Sequence, residues 1–197
     1  MLTVNTQKLK HNVKIAIDKC ADAGIKVAGV IKGFNGIPEA AQAFIDAGCS
    51  QLATSRMDQI IELKGKGLDA EFLLVRIPMI SEAEEVAYYA DLSLQSEIKV
   101  LEAINQACEK FGKTHGVILM ADLGDLREGF WDKEDLVKAA AYVERELKNI
   151  ELKEGPQSVK DAIAKKYPES TLKSASLSLK EEGVKAYRII YVTKEGV

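Results

Sequence analysis

Two groups of charged side chains follow apolar runs and could do chemistry. The first is Lys32, which ends the run Lys26-Val27-Ala28-Gly29-Val30-Ile31-Lys32 and precedes Gly33-Phe34-Asn35-Gly36. A lysine at the end of a buried strand can lose hydration, which lowers its pKa and frees the amine for Schiff-base formation with an aldehyde cofactor. Glycines on both sides of Phe34 and Asn35 let a planar ring approach the backbone. The plainer reading is a rim lysine whose stem lies on apolar surface with its head in water. The second group is Asp122-Leu123-Gly124-Asp125-Leu126-Arg127-Glu128-Gly129. There Arg127 offers a planar fork of donors for a carboxylate or a cofactor oxygen, and Asp122 could orient it. A solvated turn with a surface ion pair accounts for the same residues. Arg56 and Arg76 stand at similar points, and structural ion pairing is the competing role for each.

These residues are positioned by a repeating alternation of elements. Leu9, Val13, Ile17 and Cys20 recur at helical spacing over residues 8–23 and end at Gly24; a short apolar strand then spans 26–32. Pro38 opens a helix over 38–47, Gly48 stops it, and residues 51–54 form a second strand before a helix over 56–64. Strand 71–77 is followed by helix 81–89, with Ser81 and Glu84 as a capping box. Strand 91–94 precedes helix 96–111, and strand 115–121 precedes helix 133–147, whose Leu136, Ala140, Val143 and Leu147 share one face.

About five βα units in series predict an α/β fold with parallel pairing, because helical crossovers return the chain to the same end of the sheet. A doubly wound sheet is the alternative, but no Gly-x-Gly-x-x-Gly turn follows the first strand. The expected architecture is therefore a partial TIM-type (β/α) barrel, whose sites sit at the C-terminal strand ends, where Lys32, Arg56, Arg76 and Arg127 fall. Residues 149–152 could begin a sixth strand. The composition then changes at Lys153-Glu154-Gly155-Pro156. A helix over 156–166 and strands over 171–179 and 185–192 make a small α+β helix-and-hairpin unit. The expected domains are 1–153 and 156–197.

Bulk properties exclude several functions. A chain of 197 residues is short for eight βα units, which need roughly 250. With 47% hydrophobic and 29% charged residues it reads as a well-cored soluble protein, and no apolar run reaches the ~20 residues of a membrane span. The net charge of −3 and the lack of a basic stripe argue against nucleic acid. Met1-Leu2-Thr3-Val4-Asn5-Thr6 does not read as a signal peptide, so a cytoplasmic location is expected. Cys20, Cys49 and Cys108 are dispersed and accompanied by two histidines, which predicts reduced core thiols and no metal site.

The segments 27–36, Thr54-Ser55-Arg56, Leu74-Val75-Arg76-Ile77-Pro78-Met79, Ser93-Leu94-Gln95-Ser96-Glu97 and 122–129, in this order, resemble the alanine racemase N-terminal domain family, most of all its ornithine-racemase-like members. The resemblance implies a fold-type III barrel using pyridoxal 5'-phosphate. In it the lysine matching Lys32 links covalently to the cofactor and serves as one acid/base in moving an amino acid's α-proton. The arginine matching Arg127 lies near the cofactor ring and the substrate carboxylate; Asn35, Arg56 and Arg76 fall in the remaining cofactor-side motifs. Met120 stands where alanine racemases carry a lysine. The family's second base, a tyrosine of a later domain, and its phosphate-holding loops after later strands have no match here. The tail from Pro156 resembles small PepSY-like domains.

Three readings follow: an amino-acid racemase acting on a small or basic amino acid, a protein of the same fold that binds pyridoxal phosphate without turnover, and an inactive half-barrel scaffold or chimera. In each, the tail hairpin or a second copy in a homodimer could cover an open sheet edge.

Overall fold

The computed structural model describes residues 3–124 and 126–153, and the backbone of 176–177 and 188–190. The chain divides into two compact units, Met1–Val75 with Tyr89–Asp91, and Arg76–Tyr88 with the residues from Leu92 onward.

The first unit runs α1 (Thr6–Ala21), β1 (Ala28–Val30), α2 (Pro38–Asp46), β2 (Gln51–Thr54), α3 (Met57–Gly65) and β3 (Glu71–Leu74). Local chemistry sets the helix starts. The Asn5 side chain accepts the Lys8 N–H at 2.9 Å to cap α1, and Pro38 opens α2, where a missing N–H costs nothing. The three strands are parallel, with Gly29 beside Leu52 and Leu52 beside Phe72. Leu52, Ile60, Leu63, Phe72 and Leu74 are fully buried. Gly29 is required by contact: a Cβ there would stand 2.5 Å from Phe44 Cδ1 of α2. Asp91 ties the strand base together, its carboxylate accepting the Phe72 N–H at 2.7 Å and Lys64 Nζ at 2.9 Å.

The second unit runs α4 (Ala83–Tyr89, to Tyr88 in this unit), β4 (Leu92–Gln95), α5 (Ile98–Phe111), β5 (His115–Ala121), α6 (Lys133–Glu146) and β6 (Ile150–Leu152). β4, β5 and β6 are parallel, Leu92 lying beside Gly116 and His115 beside Ile150. Every residue of β5 is buried, as expected of a strand paired on both edges and covered on both faces. Inside this apolar surrounding, Gln95 Nε2 donates to Ser93 Oγ, which lies 2.8 Å from His115 Nε2. The short strands β7 (Ser176–Leu177) and β8 (Arg188–Ile190) pair antiparallel, and β8 pairs with β5 from Leu119 to Ala121, alongside the stretch that β6 occupies.

The six parallel strands with intervening helices are the expected α/β arrangement, and residues 150–152 do form a sixth strand. Some boundaries differ. The first strand stops at Val30, because Ile31 at φ −99° and ψ −5° has left the extended region. The third stops at Leu74. The start of the fourth helical segment is set by Glu82 and not by Ser81 with Glu84: a 3-10 turn at Ile80–Glu82 precedes α4, and the Glu82 carboxylate accepts the Met79 N–H at 2.8 Å. The helix expected over 156–166 lies outside the described residues, as does most of the expected hairpin. Cys49 and Cys108 are buried and all three cysteines are free thiols; burial pushes the Cys108 thiol up to about 11. Among the described residues no helix is long and apolar enough to cross a membrane.

Gly29→Ala is expected to cost about 1–3 kcal/mol through overpacking against Phe44, and Phe44→Leu in the same chain should recover most of the loss. Urea unfolding of the two single variants and the double variant checks this.

Candidate functional site

Lys32 opens a single 3-10 turn, Lys32–Phe34, directly after the ladder bond from Ile31 N–H to Ala53 O at 2.9 Å. Asn35 then takes a left-handed conformation at φ 56° and Gly36 another at φ 66°. Their amides turn back onto the strand end, Asn35 N–H to Lys32 O at 3.2 Å and Gly36 N–H to Ile31 O at 3.1 Å. Phe34 meets Phe44 with ring centroids 5.6 Å apart. The desolvation expected at Lys32 is not found: the turn projects the residue outward and it is exposed. No described residue forms an ion pair or hydrogen bond with its ammonium.

Arg56 follows β2 and immediately precedes α3, where its guanidinium bonds Asp58 at 2.6 Å. This pair is well exposed, and the hydrogen bond holds the Asp58 carboxyl below its ordinary range. In the second unit Arg76 forms a two-armed pair with Glu82, with Nη1 to Oε2 at 2.8 Å, and also donates to Ile77 O at 3.3 Å. Both side chains are about one-quarter exposed. Arg56 and Arg76 thus each carry the ion pair that was their competing assignment.

Arg127 lies in a loop closed by two backbone bonds: Asp122 N–H to Phe130 O at 2.9 Å and Phe130 N–H to Met120 O at 2.8 Å. Asp122 Oδ1 accepts the Gly124 N–H at 2.7 Å, folding the loop on itself, and Leu126 is left-handed at φ 53°. Gly129 is held at φ 119°, where a Cβ would stand 2.6 Å from Asp122 N. Its N–H donates to Ser96 Oγ at 3.3 Å. Arg127 is exposed and has no ion pair with a described residue. Of the four cations singled out at strand ends, Arg56 and Arg76 are engaged, and Lys32 and Arg127 have no ion-pair partner among the described residues.

In the first unit Lys32, Asn35 and Arg56 follow β1 and β2; in the second Arg127 follows β5, while Arg76 is the unit's first residue, just after β3 in sequence. Sequence reasoning gave no role to Gln59 and quoted Thr54 only within the motif Thr54-Ser55-Arg56. Gln59 Nε2 donates to Asn35 Oδ1 at 3.0 Å, although 24 residues separate them. One amide among the apolar residues of a helix carries no spacing signal, so only the fold could reveal it. No group of three or more potential metal ligands occurs among the described residues.

Residues 4–154 match the family model of the alanine racemase N-terminal domain. The chain belongs to this family. It is 36% identical to ornithine racemase of Acetoanaerobium sticklandii over 152 residues, which is 77% of this chain and 42% of that protein. The fold resembles alanine racemase of E. faecalis with a TM-score of 0.67 at 20% identity, covering 77% of this chain and 41% of the other. It also resembles PipY of Synechococcus elongatus, solved with pyridoxal phosphate bound, with a TM-score of 0.60 at 14% identity over 73% of this chain and 76% of that one. The fold is thus that of the racemase barrel, of which this chain spans a part. Met120, at the end of β5, is 2% exposed.

Two consequences can be measured. Gly129→Ala is expected to cost about 1–3 kcal/mol, because the clash is with backbone and φ 119° suits only glycine. Faster amide exchange at Asp122 and Phe130 would report the opened loop. The Arg76 hydrogen bond holds the Glu82 carboxyl below its ordinary value of 4.5. Its stabilisation is therefore complete above that value and fades as pH falls through the lower folded one. Glu82→Gln should cost about 1–2 kcal/mol at pH 7 and progressively less in acid, as read by thermal unfolding from pH 7 to pH 3.

Proposed function

We propose that the chain is the cofactor-bearing part of a pyridoxal-phosphate-dependent amino-acid racemase acting on a small or basic amino acid, such as ornithine. The observation that carries this reading is the amine of Lys32, with no ion-pair partner among the described residues, on a bent, glycine-flanked turn at the end of β1. The donor set fits the cofactor. A primary amine with no described ion-pair partner can condense with an aldehyde, releasing water, and Gly33, with nothing within 4 Å of where a Cβ would stand, leaves the adjoining backbone open to a ring.

Bound pyridoxal phosphate supplies an electron sink for the pair left when an amino acid loses its α-proton. Lys32 Nζ would hold the cofactor, and would be the base that takes this proton and the acid that returns it. Arg127, free of described ion pairs, supplies the paired donors for a carboxylate or for a ring oxygen. Arg56 and Arg76 contribute through the backbone that their ion pairs fix. Met120 brings no charge to the strand end, so Arg127 has no lysine beside it at that position.

A second reading, cofactor binding without turnover, is favoured by one observation: the chain covers 76% of PipY, which binds the cofactor, against 42% of the ornithine racemase.

The test is borohydride reduction of the protein with pyridoxal phosphate, followed by peptide mass analysis. Covalent label on Lys32, abolished in Lys32→Ala, is the expected result, and labelling spread equally over surface lysines would sink both readings. Deuterium incorporation at Cα of ornithine or alanine in heavy water then separates a racemase from a binder, since only the racemase exchanges that proton.

A further inference from the structure

We propose that Gln59 is the positioning residue of the Lys32 turn, fixing through Asn35 the backbone from which the reactive amine projects. The inference deepens the function proposed above and rests on it for its relevance to the cofactor.

The turn cannot hold its shape from local forces alone. Asn35 is a non-glycine residue in the left-handed region, which typically costs about 1 kcal/mol or more unless its surroundings impose it. The two amides that fold back on Ile31 and Lys32 lie at 3.1 and 3.2 Å, at the long end of the normal range, and Asn35 is exposed to competing water.

Gln59 supplies the missing restraint. It is 6% exposed, on the third residue of α3, and its amide is satisfied at both ends. Nε2 donates to Asn35 Oδ1 at 3.0 Å. Oε1 accepts the hydroxyl of Thr54, which is fully buried at the end of β2 and paired in register with Leu74 of β3. With Thr54 donating to its oxygen, the Gln59 amide turns its nitrogen to Asn35.

The stem of Gln59 also covers Gly36, where a Cβ would stand 3.0 Å from Gln59 Cδ. One side chain therefore holds both left-handed residues of the turn, one by a hydrogen bond and the other by contact. Its own anchor is a strand and a helix of the core. Rigid elements that lock a loop through a satisfied buried amide are the means by which a reactive group is held in a productive position.

Gln59→Met removes both hydrogen bonds at nearly constant volume. Ile60→Val, at the fully buried neighbouring position, serves as a control that lowers stability without touching the turn. Amide exchange at Asn35 and Gly36 is measured by NMR, together with the concentration dependence of pyridoxal phosphate capture on Lys32 and the pH midpoint of the resulting absorbance band. The expected result for Gln59→Met is exchange at both amides about tenfold faster, capture about tenfold weaker and a displaced pH midpoint. Ile60→Val should leave all three unchanged, and Thr54→Val should follow Gln59→Met with a smaller effect. Wild-type protection of Asn35 and Gly36 in Gln59→Met, or equal loss in Ile60→Val, would overturn the inference. If the unaltered protein captures no cofactor on Lys32, the proposed function fails, and amide exchange still decides the role of Gln59.

Discussion

The parallel register that sets Gly29, Leu52 and Phe72 side by side is the arrangement on which the first unit depends. It leaves β2 hydrogen-bonded along both edges, and it brings α2 close enough for Phe44 to fill the space that Gly29 leaves empty. Because the strands are parallel, each ends at the same edge of the sheet, and the chain must reverse there before entering a helix. The turn of Lys32, the Arg56 cap region and the Thr54 hydroxyl are consequences of that reversal. Lys32 stands at this edge because β1 ends at Val30 and the chain turns there.

The second unit meets the same constraint with different chemistry. β5 is wholly buried, yet its first residue is histidine, and Ser93 and Gln95 of β4 lie on the neighbouring strand. These polar groups bond one another where water is excluded, and Gln95 Oε1 alone among the described buried side-chain polar atoms has no partner. At the other end of β5 the chain emerges into the Arg127 loop, which closes by its own backbone bonds and by glycine at position 129. Here rigidity comes from backbone geometry. In the Lys32 turn it comes from a side-chain amide anchored in the core.

Ion pairing sorts the cations at these strand ends. Arg76 is held by Glu82 and Arg56 by Asp58, each partner lying within six residues in sequence. Such near-neighbour pairs shape a turn or a helix start and contribute little beyond that when exposed. Lys32 and Arg127 have no comparable neighbour among the described residues. This is the electrostatic distinction that the family resemblance alone could not draw among four similar positions.

The sequence by itself determined the alternation of strands and helices, the parallel α/β class and the family. Each is written in short-range patterns: apolar runs bounded by glycine and proline, helical spacing, and ordered motifs around Lys32 and Arg127. It also allowed a sixth strand to begin over residues 149–152, and the strand forms at Ile150–Leu152. Only the tertiary structure decided where strands end, because Ile31 leaves the extended region to satisfy bonds from Gly36 that no local pattern encodes. It alone joined Gln59 to Asn35 and Thr54, and it alone brought Gly129 against Asp122. These are contacts between residues distant along the chain or forced by close approach of backbone. Their energy depends on separations of a few tenths of an ångström that exist only once the strands are in register.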